Sequence, residues 1–297
     1  MKFLFGEGVN KLNGIFPVIH TPFTDNGAID YDDLRREVDT VIKDGADGLV
    51  VFGYATEFPF LSESESDNLL SAIISECNRR VPVISSVTAI CAREAKKDAA
   101  RYQDMGADAI MLLPRCENPV EYMKTAVSDS ALPVLMQYAP HATGIYMSAA
   151  EIAGFAAELG RPFGVKSEMP MDFITELSEA SSGQIAVYVG RQGINMHEAL
   201  ERGASGIMPG CSRVYAYKKI YDEYSRGSKE KALELYDVLA PYLSVFHGQY
   251  EMYYEKYALV RRGVFKKGYC RQPLSCPSPD MIKEFDKRCG DVDRIFL

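Results

Sequence analysis

Several protein classes are excluded by what this chain lacks. No stretch of its 297 residues approaches the roughly 18 consecutive apolar positions of a membrane helix. Positive charge is not in excess. Lys and Arg number 33 against 41 Asp and Glu, for a net charge of −8, so nucleic acid and anionic membranes are poor partners. The seven cysteines contain no CxxC pair, which points to reduced thiols in a cytoplasm rather than a disulfide framework. The four histidines are too scattered for a zinc-type cluster to be visible. No GxGxxG occurs, which removes the dinucleotide turn of a doubly wound open sheet. Residues 1–14 carry Glu7 and two lysines but no sustained apolar stretch or small-residue cleavage site, so they do not read as a secretory leader.

What is present is a repeated grammar. Asp44–Gly53, Met105–Pro114 and Arg202–Gly210 each place a Gly after a helical pattern, then a tight turn, a short apolar run, and Gly or Pro. The first Gly suits the left-handed residue that ends a helix. The apolar runs do not alternate, so they read as strands buried on both faces, as in parallel sheets. Eight such runs are predicted as strands, at Gly14–Ile19, Leu49–Phe52, Val83–Val87, Ala109–Leu113, Val134–Tyr138, Phe163–Lys166, Ala186–Gly190 and Gly206–Pro209. Helices are expected at Asp32–Lys43 and Arg93–Met105, and Ser62 is placed as the cap of an acidic helix start. Most strand starts lie about 20 to 35 residues apart, the length of a βα unit, so the fold is expected to be an α/β, (β/α)8 TIM barrel. Residues 1–297 read as a single domain, with the barrel at about 12–225 and a C-terminal helical extension at about 226–297.

Such a barrel keeps its chemistry at the C-terminal ends of the strands. Lys166 ends the run Pro162–Lys166. Burial disfavours the charged form of an amine, and a neutral amine attacks a ketone to form a Schiff base. Tyr138 ends the preceding strand, 28 residues earlier, and is expected about 5 Å away, backbone to backbone, as a proton shuttle. Its alternative is a half-buried aromatic hydrogen-bonded through its hydroxyl. After strand two, the turn Gly53-Tyr54-Ala55-Thr56-Glu57 offers backbone N–H groups and the Thr56 hydroxyl to an anion such as a carboxylate, or is an ordinary βα turn. The loops Gly190–Gly193 and Pro209–Arg213 carry Arg191 and Arg213, which leaves a phosphate site open beside plain turn glycines with solvated arginines. Cys91 and Cys116 are read as buried structural thiols.

These residues together resemble the dihydrodipicolinate synthase and N-acetylneuraminate lyase superfamily, the pyruvate-dependent class I aldolases. The resemblance runs from Gly14–Pro17 and Thr21–Phe23 through Glu57–Ser62, Tyr138–Pro140 with Thr143-Gly144, and Gly164–Lys166. It continues at Gly203–Gly206 and ends near Arg271–Leu274. It implies that Lys166 forms the Schiff base with a 2-keto acid, that Tyr138 shuttles protons, that Gly190 lines the pocket, and that the turn after Gly53 binds the keto-acid carboxylate. It also suggests a homodimer or homotetramer. The chain departs from the family pattern at Tyr54 and Ala55, where two hydroxyl residues are usual. It departs again at Ala142, where the synthase has Arg, and at Pro114–Glu117, where the synthase has a Tyr pair. These losses argue against a true dihydrodipicolinate synthase. Lys166–Pro170 and Met208–Gly210 resemble the branches that handle 2-keto-3-deoxy sugar acids.

The expected function is a Schiff-base lyase on a 2-keto acid, either a pyruvate-releasing aldolase or a 2-keto-3-deoxy sugar acid dehydratase. It requires no metal and no organic cofactor, because the imine supplies the electrophile. Tyr54, Ala55, Thr56, Gly190 and Met208 are expected to contact substrate, with Arg115, His141 and Arg191 at its distal end. The alternatives are dihydrodipicolinate synthase or N-acetylneuraminate lyase activity proper, a non-catalytic keto-acid-binding barrel, and a barrel enzyme on a phosphorylated sugar.

Overall fold

A computed structural model describes residues 13–246 and 248–297, so the reading of residues 1–12 as no leader lies outside the described residues. Eight parallel strands, β1 (Gly14–Ile15), β2 (Leu49–Val51), β3 (Val83–Val87), β4 (Ala109–Leu112), β5 (Val134–Tyr138), β6 (Phe163–Ser167), β7 (Ala186–Val189) and β8 (Gly206–Ile207), follow one another around the sheet, with β1 paired to β8. The barrel closes between β1 and β2. Val50 N–H donates to Pro17 O, Ile19 N–H donates to Val50 O, and Val18 bridges Val50 in parallel. The (β/α)8 barrel is therefore the fold, and all eight predicted strands are present.

The helices that follow the strands are α1 (Tyr31–Lys43), α2 (Glu63–Cys77), α3 (Ala92–Met105), α4 (Pro119–Ala126), α5 (Pro140–Thr143), α6 (Ala149–Leu159), α7 (Asp172–Ala180), α8 (Met196–Glu201) and α9 (Val214–Ser225). Their ends follow local chemistry. Ser62 and Glu65 form a reciprocal capping box at the start of α2, and Ser148 and Glu151 repeat it at α6. Gly45, Gly106 and Gly203 take φ of 98°, 104° and 89°, which a Cβ would oppose, so the repeated helix-ending glycines of the sequence do the work assigned to them. Beyond the barrel come α10 (Lys229–Leu243), α11 (Glu251–Arg261) and α12 (Pro279–Phe296), where the sequence suggested further packed helices. Among the described residues, no helix is long and apolar enough to cross a membrane.

Two apolar layers result. One lies inside the barrel and includes Phe16, Val50, Ile84, Met111, Leu135 and Tyr188. The other lies between strands and helices, and takes Val134, Met136 and Tyr138 from β5 and Val165 from β6. Side chains along a strand alternate between these layers. On β5, therefore, Leu135 and Gln137 face inward, while Met136 and Tyr138 face the helices.

Candidate active site

Lys166 is the last inward residue of β6. Its side chain is 9% exposed, and its Nζ lies 3.5 Å from Glu168 Oε1. The β5–β6 register sets Gln137 opposite Lys166 and Tyr138 opposite Ser167. The inward neighbour of the lysine is thus a carboxamide. Tyr138 is buried on the other face against Phe173, with ring centroids 5.1 Å apart. Its hydroxyl donates to Met147 O at 2.6 Å and accepts from Met147 N–H at 2.9 Å. Burial raises its pKa. The fold does not bring the expected phenol beside the amine: Tyr138 stands one position out of phase with Lys166, on the helix-facing side of β5. Strand alternation carries the cause, since a shift of one residue moves a side chain to the opposite face.

Above Lys166 opens a cavity of about 860 Å³. Tyr54, Ala55, His141, Arg191 and Met208 line it, with Gln137 and Glu168 beside the lysine. Three other expected residues do not line it. Thr56 is fully buried, and its hydroxyl donates to Ile19 O at 2.7 Å. The 3-10 turn Tyr54–Thr56 instead leaves the N–H groups of Tyr54 and Ala55 without an intrahelical partner. Arg115 lies over the Phe58 ring, 5.8 Å from its centroid, outside the lining. Gly190 packs behind the site, where a Cβ would stand 2.3 Å from Glu168 Oε1 and 3.0 Å from Lys166 Cε.

The phosphate reading weakens as well. Arg213 is buried away from the cavity, with its Nε 2.9 Å from Asp293 Oδ1 and its guanidinium over Tyr242. Ser212 of the strand-eight loop is bound to Glu255, which receives both its N–H and its hydroxyl. Carboxylates at that loop repel a phosphate. Cys91 is exposed and Cys116 half-buried, which corrects their reading as buried thiols, and all seven cysteines are free. Among the described residues, the fold gathers His20, Glu37 and Cys211 at metal-ligand spacing, a cluster that their separation in sequence conceals. His20 Nδ1 and Glu37 Oε1 are 2.8 Å apart, an ion pair that needs no metal to explain it. Burial opposes the positive form of His20, but its hydrogen bond to Glu37 and the nearby carboxylate charges hold its pKa above the usual value.

The far wall comes from outside the barrel motif. Glu251 and Glu255 of α11 line it, as do Gln272 and Ser275 of the segment before α12. A buried ion pair fixes that segment. Lys256 Nζ lies 2.5 Å from Glu57 Oε1 and also donates to Thr21 O and Tyr269 O, while Glu57 Oε2 accepts the N–H groups of Arg271 and Gln272. Gln137, Glu168, Gln192, Glu251 and Glu255 were not assigned roles from sequence. For Glu251 and Glu255 the only local signal was i,i+4 spacing, which places both on one helix face.

A family model for the dihydrodipicolinate synthetase family matches residues 11–289. The L-2-keto-3-deoxyarabonate dehydratase of Azospirillum brasilense is 28% identical over 296 residues, covering 96% of each chain. The 4-hydroxy-tetrahydrodipicolinate synthase of Bacillus subtilis (strain 168) is 26% identical over 230 residues, 74% of this chain and 79% of that one. The crystal structure of dihydrodipicolinate synthase from Rhodopseudomonas palustris superposes with a TM-score of 0.87 at 22% identity, covering 95% of this chain and 98% of the other, a likeness of fold. A buried lysine at the end of β6, in a barrel matched along nearly its whole length, thus makes the chain a member of the dihydrodipicolinate synthetase family and a lysine Schiff-base lyase of the class I type.

Proposed function

We propose that this enzyme dehydrates a 2-keto-3-deoxy sugar acid. One observation carries the reading: the cavity sets a carboxylate, Glu168, 3.5 Å from the Lys166 amine, with a carboxamide where a phenol was expected. The amine attacks the C2 ketone, and the carbinolamine loses water to give an iminium. That iminium draws electrons from C3. Glu168, beside the imine nitrogen and hence within reach of C3, takes a C3 proton and leaves an enamine. The enamine then expels the C4 oxygen as water, forming the C3–C4 double bond.

Three features support a sugar acid over a diacid second substrate. Ala142, at the position where the synthase pattern has Arg, lines the cavity without charge. The far wall is built from Gln192, Glu251, Gln249 and Gln272, groups that bond hydroxyls and disfavour a second carboxylate. The Azospirillum relative named above bears the name of a dehydratase of this substrate class. The substrate carboxylate is assigned to the N–H groups of Tyr54 and Ala55, which have no partner among the described residues. The free cysteines favour a cytoplasmic protein, and family membership favours a homodimer or homotetramer, which sedimentation measures directly.

The test is reductive trapping. The protein is incubated with pyruvate and borohydride, its intact mass is measured, and the adduct is located. An adduct on Lys166 that is lost in Lys166→Ala is expected; no adduct, or one that survives the substitution, overturns the imine. A panel of 2-keto-3-deoxy acids then reads dehydration against pyruvate release.

A further inference from the structure

The cavity holds a second carboxyl group whose surroundings are opposite to those of Glu168. Glu251 opens α11, and α11 is docked from two sides. Glu255, one turn on, is held by the N–H and hydroxyl of Ser212, and Lys256 is held by Glu57, Thr21 and Tyr269. Residues four apart share a helix face, so fixing Glu255 fixes where Glu251 stands. Glu251 Oε1 accepts a 3.0 Å hydrogen bond from Gln192 Nε2. The orientation of that amide is set by its other end, because Gln192 Oε1 accepts the N–H of Gly210 at 2.8 Å. The backbone of Gln192 is pinned too: it takes a left-handed φ of 55°, and its carbonyl accepts the Tyr217 hydroxyl. The amide can only donate to Glu251, so Oε1 is occupied as an acceptor. Oε2 has no protein partner among the described residues, and Glu251 lines the cavity.

The groups facing Glu251 set its protonation. Burial is the leading cause of a pKa above the ordinary carboxylate value, and the charges of Glu255 and Glu168 raise it further, against the Gln192 hydrogen bond and the Lys166 charge. Glu168 by contrast sits at ion-pair distance from Lys166. The cavity thus holds one carboxyl beside the amine and a second on its far wall with an oxygen left open.

The geometry points to Glu251 as the general acid of the reaction, delivering the proton from its Oε2 to the departing C4 hydroxyl. The role rests on the dehydratase reading above. As the Glu251 O–H bond breaks, its proton joins the C4 oxygen. The C4–O pair leaves with the water, and the enamine electrons become the C3–C4 double bond. Glu168 holds the C3 proton, Glu251 is left ionised, and solvent exchange moves one proton between them. The substrate loses one water and no oxidant is needed.

Glu251→Gln keeps the shape and the bond to Gln192 while removing the proton. Three rates are compared with wild type: C3 hydrogen exchange of pyruvate in deuterium oxide, dehydration of 2-keto-3-deoxyarabonate, and fluoride release from its 4-deoxy-4-fluoro analogue, whose leaving group needs no acid. The expected result is retained exchange, a loss in dehydration kcat of about 10² to 10⁴-fold, and fluoride release within about threefold of wild type. Dehydration within about fivefold of wild type overturns the assignment, and so does an equal loss of all three rates, which marks a structural role. If wild type exchanges the C3 hydrogen of pyruvate but dehydrates nothing, the dehydratase reading itself fails and this role falls with it.

Discussion

Gln137 and Lys166 are register partners on adjacent parallel strands, and their side chains stand on the inner face of the barrel mouth. The carboxamide can orient a carbinolamine but cannot carry a proton at neutral pH. Gln137→Leu is therefore expected to slow reductive trapping of pyruvate by about tenfold to a hundredfold through lost positioning. Tyr138→Phe should behave in the opposite way. It strips the Met147 N–H and carbonyl of their shared partner and costs about 1–3 kcal/mol of stability by urea unfolding, with trapping unchanged. Trapping lost in Tyr138→Phe at full stability would restore the phenol to the site.

Gly190 tests the carboxylate beside the amine. An added Cβ would lie 2.3 Å from Glu168 Oε1 and 2.9 Å from its Cδ. These are ends of flexible side chains, and Gly190 has a negative φ of −90°, so an added methyl meets movable side-chain atoms rather than backbone. Glu168 is pushed away from Lys166 instead. Gly190→Ala is expected to cut kcat by about a hundredfold, with stability altered by less than about 1 kcal/mol. A normal kcat in a stable variant would remove Glu168 from the chemistry.

The legibility of the site follows strand geometry. The barrel was readable because three βα units repeat one punctuation and eight apolar runs recur at βα spacing, and Lys166 because a charge ends an otherwise apolar run. The face of β5 was not. Val134, Leu135, Met136, Gln137 and Tyr138 are buried on both sides, so no polar alternation marks which residues point inward. Only pairing with Lys166 fixes the phase, and pairing is a tertiary fact. The Thr56 hydroxyl was likewise spent on Ile19 O, 37 residues away in sequence. Glu251 and Glu255 lay still further from the motifs, on a helix that read as packing.

The Glu57–Lys256 pair couples stability to the cavity. Both side chains are fully buried. Lys256→Met leaves the Glu57 carboxylate in a dry site without its counter-charge, held by the amides of Arg271 and Gln272, which should cost about 3–5 kcal/mol. Because Gln272 and Ser275 line the cavity, KM for the keto acid should rise in the same variant. Adding Glu57→Gln removes the stranded charge and should recover part of the stability, but not the KM. Full recovery of both would mean that the ion pair does not position the segment.

A surface pair of the same segment sets the acid side of the stability profile. Arg271 donates to both oxygens of Glu65 and to Phe60 O and Gly27 O, so it staples the C-terminal segment to α2. The hydrogen bonds from Arg271, with help from the Ser62 N–H, hold the Glu65 carboxyl down at about 2, against 4.5 unperturbed. The folded value lies below the unfolded one. The stabilisation is therefore complete above pH 4.5 and drains away as pH falls toward 2, because the unfolded chain takes up the proton first. Arg271→Met should flatten the fall in urea midpoint across this window, and at neutral pH it should show only the loss of the staple. Parallel pH profiles for the variant and wild type would mean that other carboxylates govern acid unfolding.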